Sequence, residues 1–125
     1  DELLVAVRVP KLGAGWGTHY EKFNRVAQAW AIVGVAALVR VEAGTIAEAR
    51  IGLTNMGSTP LRASAVERAL AGVPVADAGA VEAACRRAGE GTSPAADLSA
   101  QPDYRRHLAG VLTGRAVRHA LAGVR

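Results

Sequence analysis

The side chains best suited to chemistry are few in this chain, and their spacing settles most of what they can do. Three histidines occur, His19, His107 and His119. His107 and His119 are twelve residues apart on one expected helix, roughly 18 Å along its axis at about 1.5 Å per residue, too far to share a metal ion. Surface or capping roles suit each histidine better than catalysis. The single cysteine, Cys85, lies in no CxxC or His/Cys pattern, so a zinc site is not indicated and an internal disulfide is impossible. Between Ala84 and Arg86 it reads as a small apolar packing residue. Glu67, Glu82, Glu90 and Asp97 occur singly, with no pair placed for acid–base work on one rigid element. No G-x-S-x-G nucleophile elbow is present.

Two further patterns invite chemistry. Lys11–Gly17 (KLGAGWG) is rich in glycine, but a phosphate-binding fingerprint needs G-x-G-x-x-G opening a helix, and the spacing here is G-x-G-x-G. Arg86-Arg87 and Tyr104-Arg105-Arg106-His107 could face phosphates or an acidic partner; solvated helix faces are the commoner explanation of such runs. The net charge is +4, with arginines spread along the whole chain and no aromatic interleaving, so a nucleic-acid stripe is not indicated.

The elements that position these residues are legible in the hydrophobic pattern. At 125 residues the chain is long enough for one core and too short for two. Half of it is hydrophobic, much of that alanine, with only five aromatic residues among Phe, Trp and Tyr. No apolar run approaches the roughly 20 residues that cross a bilayer. Residues 2–9 alternate, with Leu3, Val5, Val7 and Val9 on one side, which predicts a half-buried strand ended by Pro10. The start, without Met, reads as an excised or processed piece. Residues 19–31 are ambiguous: Thr18 and Glu21 form a capping box, and Tyr20, Phe23, Val26, Trp30 and Val33 fall at helical spacing. Ile32–Val41 and Thr45–Thr54 read as strands joined by a short Gly-containing turn, a hairpin. Ser58-Thr59-Pro60 predicts a helix with proline at its first position, running through Ala63, Val66, Ala69 and Leu70 to Gly72. A second helix is predicted from about Asp77 to Gly89, burying Val81, Ala84, Cys85 and Ala88. After a polar loop over 89–100, a third opens near Pro102, its stripe formed by Tyr104, Leu108, Val111, Leu112 and Leu121. Strands followed by helices define the α+β class: a small antiparallel sheet of three to four strands packed with three helices.

Three segments carry a resemblance. Tyr20-Glu21-Lys22-Phe23-Asn24-Arg25 with Gln28–Ala36 is similar to a Tyr-x-Lys-x-x-Arg, Asp-aromatic-Ala, small-residue strand pattern. Ile46–Asn55 running into Thr59-Pro60-Leu61-Arg62-Ala63 is the second, and Tyr104–Leu112, with Tyr-Arg-x-x-Leu, is the third. In this order they resemble the C-terminal domain of the FAD-binding (medium) subunit of the carbon monoxide dehydrogenase/xanthine dehydrogenase family of molybdenum hydroxylases. The resemblance implies a strand at Tyr20–Arg25 with a turn near Gln28–Trp30. It implies that residues 1–17 are strand and loop from the end of a preceding FAD domain, and 18–125 the C-terminal domain itself, within one unit of 1–125.

The same resemblance implies the function. The domain completes a flavin pocket and supplies docking surface, while FAD is held chiefly by glycine-rich loops of the preceding domain and is not expected on this chain alone. Ala29 stands where relatives carry an Asp beside the flavin, Trp30 matches an aromatic or apolar neighbour of the ring, and Arg62 falls where some members place a Lys. No catalytic residue and no metal ligand are implied here. The implied partners are a molybdopterin-binding large subunit and a 2Fe-2S small subunit, in the cytoplasm, with no nucleic acid. An exposed docking face would also permit self-association. The rival readings are a basic module binding a protein or nucleic-acid partner without catalysis, and a small stand-alone enzyme, which the lack of a convergent reactive set disfavours.

Overall fold

A computed structural model describes residues 2–124. Its centre is β2, Val33–Glu42, whose alternate residues Val33, Val35, Ala37 and Val39 are fully buried. β2 turns through Ala43 and Gly44 into β3, Thr45–Thr54. Both turn residues have positive φ, 47° and 77°, the backbone that a two-residue hairpin needs to match the strand twist. β1, Trp16–Phe23, pairs antiparallel with the other side of β2, and a two-residue β4, Leu61–Arg62, pairs with β3. The result is a four-stranded antiparallel meander in sequence order.

One face of that sheet is covered by helices. α1, Ser64–Leu70, packs on β3, and Glu67 ties it down by accepting the Ile51 backbone N–H at 2.8 Å. α2, Ala78–Cys85, continues as a 3-10 turn, Arg86–Gly89, with Asp77 capping its start by accepting from Ala80 N–H. α3, Pro102–Ala122, crosses β2 and β1. It buries Arg105, Leu108, Ala109, Leu112, Thr113, Ala116, Val117 and Ala120, a regular three–four spacing that makes one continuous stripe. The α+β expectation, four strands and three helices, is met.

Four local expectations are corrected. Residues 2–13 form no strand and are exposed; Leu3, Val5, Val7 and Val9 lie in solvent. Alternation makes an amphipathic strand only where a neighbour pairs with it, and β1 at the sheet edge begins at Trp16. Asp1, included in that expected segment, and Arg125, the last residue of the expected domain, lie outside the described residues. β1 starts four residues earlier than Tyr20 and ends at Phe23 rather than Arg25, because Gly17 belongs to the strand and not to the glycine loop. Pro60 does not open α1: Ala63 N–H bonds to Ile51 O at 2.9 Å, which holds Leu61–Arg62 extended on β3 and delays the helix to Ser64. Finally, Tyr104 and Val111 are exposed on α3, and the buried stripe begins instead at Arg105.

α3 lies very close to β1. A Cβ added at Gly17 would stand 1.9 Å from the Ala120 carbonyl oxygen, so only glycine lets the last turns of the helix press on this strand. The other end of α3 is fixed by Arg105, which is 1% exposed and donates from Nη1 to Ile32 O and from Nη2 to Asp97 Oδ2, each at 2.5 Å. N–H groups of Ala100 and Ser99, together with this guanidinium, hold the Asp97 carboxyl below the usual carboxylate range. No helix among the described residues is long and apolar enough to cross a membrane.

Candidate functional site

The loop between β1 and β2 is closed at its base and open at its tip. Ile32 N–H donates to Phe23 O at 2.8 Å, and Ala29 N–H to Val26 O at 3.0 Å within the loop. Asn55, at the end of β3 with φ 61°, donates from Nδ2 to Ala31 O at 2.9 Å and to Ile32 O at 3.3 Å. Arg105 donates to the same Ile32 carbonyl from beneath. Three donors, the Ile32 N–H, Asn55 and Arg105, thus fix the base, while the indole of Trp30 at the tip is 95% exposed.

This loop forms one wall of an open cleft of about 820 Å3 at the end of the uncovered sheet face. Gln28, Ala29, Trp30 and Ala31 line that wall, Gly57–Pro60 the opposite one, and Tyr20, Lys22, Thr54 and Asn55 the floor. Gly34 lies between Lys22 and Thr54 in register. A Cβ there would meet Thr54 Oγ1 at 2.5 Å and Tyr20 Oη at 2.6 Å, so glycine leaves room for both hydroxyls. The Thr54 hydroxyl is buried without a hydrogen-bond partner, an acceptor and donor waiting for one.

The structure therefore brings Ala29 and Trp30 together on one wall and sets Arg62 apart. Arg62 is not among the residues lining the cleft; its Nε donates to Glu67 Oε1 at 2.7 Å, from β4 to α1. Core packing does not explain Trp30. Sequence reasoning missed Thr54, Asn55 and Gly34, which look like ordinary strand residues, and Arg105, grouped with its solvated neighbours. The signal for Arg105 was its place at three and four residues before Leu108 and Ala109, on the apolar stripe itself.

The remaining candidates resolve simply. Lys11–Gly17 leads into a strand, not a helix N-terminus, so no phosphate cradle is formed there. All four arginines of the two Arg-rich stretches pair locally: Arg86 with Glu82 at 2.7 Å, Arg87 with Glu90 at 2.9 Å, Arg106 with Asp103 at 2.9 Å, and Arg105 with Asp97. Cys85 is buried against α3, and burial pushes its thiol up to about 11, as a packing residue requires. His107 stays apart from the other histidines, whereas His19 and His119 meet between β1 and α3.

Fold and site together define a class: a small α+β domain whose sheet is covered by helices on one face and ends, on the other, in an open cleft overhung by a tryptophan. Residues 18–120 match the CO dehydrogenase flavoprotein C-terminal domain. The carbon monoxide dehydrogenase medium chains of Afipia carboxidovorans and Hydrogenophaga pseudoflava are 37% and 36% identical, over 97% and 98% of this chain. The structure of the carbon monoxide dehydrogenase of H. pseudoflava lacking the Mo-pyranopterin moiety superposes with a TM-score of 0.87 at 40% identity, covering 94% of this chain and 40% of that one. The chain spans 42% of the length of the two curated relatives. It belongs to the CO dehydrogenase flavoprotein C-terminal domain family.

Proposed function

We propose that the chain serves as the C-terminal domain of the FAD-carrying subunit of a molybdenum hydroxylase, completing the flavin pocket and the docking surface across which electrons reach the flavin. The observation that carries this reading is Trp30: a bare indole on a loop fixed at its base, at the lip of a cleft. An exposed aromatic of this size marks a surface that another body covers. The medium-chain description of the relatives supports the setting, as does their greater length.

The residues present fit one part of such a cofactor. The apolar wall of Ala29, Trp30 and Ala31, the unpartnered Thr54 hydroxyl and the Gly34 clearance suit a planar, polar-edged ring. In this proposal the pyrophosphate is held by the preceding domain. When bound, the flavin supplies two-electron and one-electron transfer. Trp30 then covers the ring and excludes water, and Thr54 is placed to bond a polar edge. Ala29 offers a methyl and a carbonyl but no side-chain hydrogen bond, its N–H being given to Val26. Lys22 brings a positive charge to the floor. Arg62, neutralised by Glu67 and outside the lining, braces β4 against α1 and tunes the ring only at a distance.

The same proposal makes residues 1–17 the end of the FAD domain, whose sheet would pair the alternating Leu3–Val9 segment. The partners are a molybdopterin-binding large subunit and a 2Fe-2S small subunit, and a single, buried, free thiol suits a cytoplasmic setting. Pairing of the Arg-rich stretches with carboxylates disfavours the basic-module alternative. The test uses the whole subunit. The native subunit should hold FAD with its fluorescence quenched by the indole, and Trp30→Ala should keep FAD while raising that fluorescence severalfold. The 125-residue chain should purify colourless. Stoichiometric FAD on the chain alone, or unchanged flavin fluorescence and affinity in Trp30→Ala, would overturn the proposal.

A further inference from the structure

The far end of α3 carries a second cluster, distinct from the cleft and independent of the flavin reading. β1 presents Gly17, His19 and Glu21 in alternation to the helix-covered side of the sheet, opposite Val39, Ala37 and Val35. Because Gly17 admits the Ala120 backbone so closely, the next two residues on that face come within reach of His119. The His19 and His119 rings stack with centroids 4.5 Å apart and planes at 28°. Glu21 Oε1 lies 3.3 Å from His19 Nε2 and 3.9 Å from His119 Nε2. One ligand atom from each of the three residues falls within 4.8 Å of the others.

We propose that His19, Glu21 and His119 bind a divalent transition-metal ion of the zinc class, clamping the end of α3 to β1. Two imidazoles and one carboxylate are the donor set of open zinc sites, in which water completes the coordination. Magnesium and calcium prefer all-oxygen shells and are poorly matched. A tetrahedral ion with bonds of about 2.0–2.1 Å needs donor atoms roughly 3.3–3.4 Å apart. The His19–Glu21 pair already meets that spacing. The His119–Glu21 pair must close by about half an ångström, and the His19 and His119 donors, within 4.8 Å of each other, must draw together as well; His119, with its side chain 62% exposed, is free to adjust. The strand fixes two ligands and the helix delivers the third, so metal binding joins elements that are far apart in sequence. Reading the histidines by sequence spacing alone could not find this pairing, since the partner of His119 is not on its own helix.

The test titrates the metal-stripped 125-residue chain with ZnCl2 by calorimetry, and with Co2+ by visible absorption. Saturable one-to-one binding is expected, with Co2+ bands of nitrogen–oxygen coordination and no competition from excess Mg2+. Loss of a direct ligand should weaken binding at least as much as the roughly 10–100-fold seen for outer-shell partners. His119→Ala and Glu21→Gln should both show this, and His107→Ala should not. Circular dichroism confirms folding, and His119→Ala keeps the test decisive because its side chain is largely solvent-exposed. Absence of saturable binding, or equal loss in His107→Ala and His119→Ala, would overturn the proposal.

Discussion

The two tryptophans mark the two ends of the sheet, and they are treated oppositely. At the hairpin end Trp16 lies under the guanidinium groups of Arg50 and Arg40, 4.9 and 5.9 Å from the ring centroid, and on the other face of the sheet α3 is pressed against Gly17. At the cleft end Trp30 is bare, although the loop beneath it is held by backbone, Asn55 and Arg105. One end satisfies its own apolar surface; the other is built firmly and then left uncovered. α3 is pressed closely on β1 at one end, and the open cleft lies where β1 runs into β2 at the other.

The largest effect is expected at Gly17. A methyl group there would collide with backbone, the Ala120 carbonyl oxygen at 1.9 Å, which cannot rotate away as the Val124 side chain at 2.9 Å can. Overpacking costs about 1–3 kcal/mol and sometimes more, and a backbone collision puts Gly17→Ala at about 3 kcal/mol by chemical denaturation. The displaced helix should also separate His119 from His19 and abolish zinc binding. A variant as stable as the native chain would show that α3 is not seated as described.

The β2–β3 hairpin was readable in the residues because β-branched runs flank a short turn containing Gly44, which takes positive φ freely. The helices after Asp77 and Pro102 announced themselves by their apolar stripes, and the second of them by its opening proline. α1 did not, because the bond from Ala63 to Ile51 is a tertiary constraint that outweighs a local proline signal. The cleft was legible at Ala29 and Trp30 through family resemblance alone. Thr54 and Gly34 became visible only when three strands were laid side by side, since their meaning depends on register. Residues 2–9 misled for the same reason: alternation records a strand's faces but not whether a neighbour exists.

Arg105 supplies the second test, of intermediate size. It links α3 to the base of the Trp30 loop, and no other described donor reaches Ile32 O from below. Arg105→Met keeps much of the volume, removes the charge and leaves the carbonyl to the longer Asn55 contact. Loss of a buried hydrogen bond from a charged group is worth about 1.5–3 kcal/mol, so about 2 kcal/mol is expected. Its acid limb should persist. Asp97 has a depressed carboxyl, so its contribution is present above the ordinary carboxylate pKa of about 3.9 and is lost as pH falls through the lower folded value. The largest causes of that depression are the N–H groups of Ala100 and then Ser99, which the substitution leaves in place. A variant whose acid limb vanishes would mean that Arg105, not the backbone, sets the Asp97 carboxyl.

The smallest effect is the most informative, because it compares the same residue type at the two ends. Trp16→Ala removes the cation–π contacts of Arg50 and Arg40, of a kind worth about 0.5–1 kcal/mol at partly exposed sites, together with the half-buried ring surface on the sheet. A loss of about 1–2 kcal/mol should follow in urea titrations. Trp30→Ala removes a side chain that touches little of the chain's own surface, and substitutions of that kind stay within about 0.5 kcal/mol. If both variants lose stability equally, Trp30 is packed and the open end is not open. If Trp30→Ala is neutral here yet alters the flavin in the whole subunit, the indole acts on something outside this chain, which is the difference between the two ends stated as a measurement.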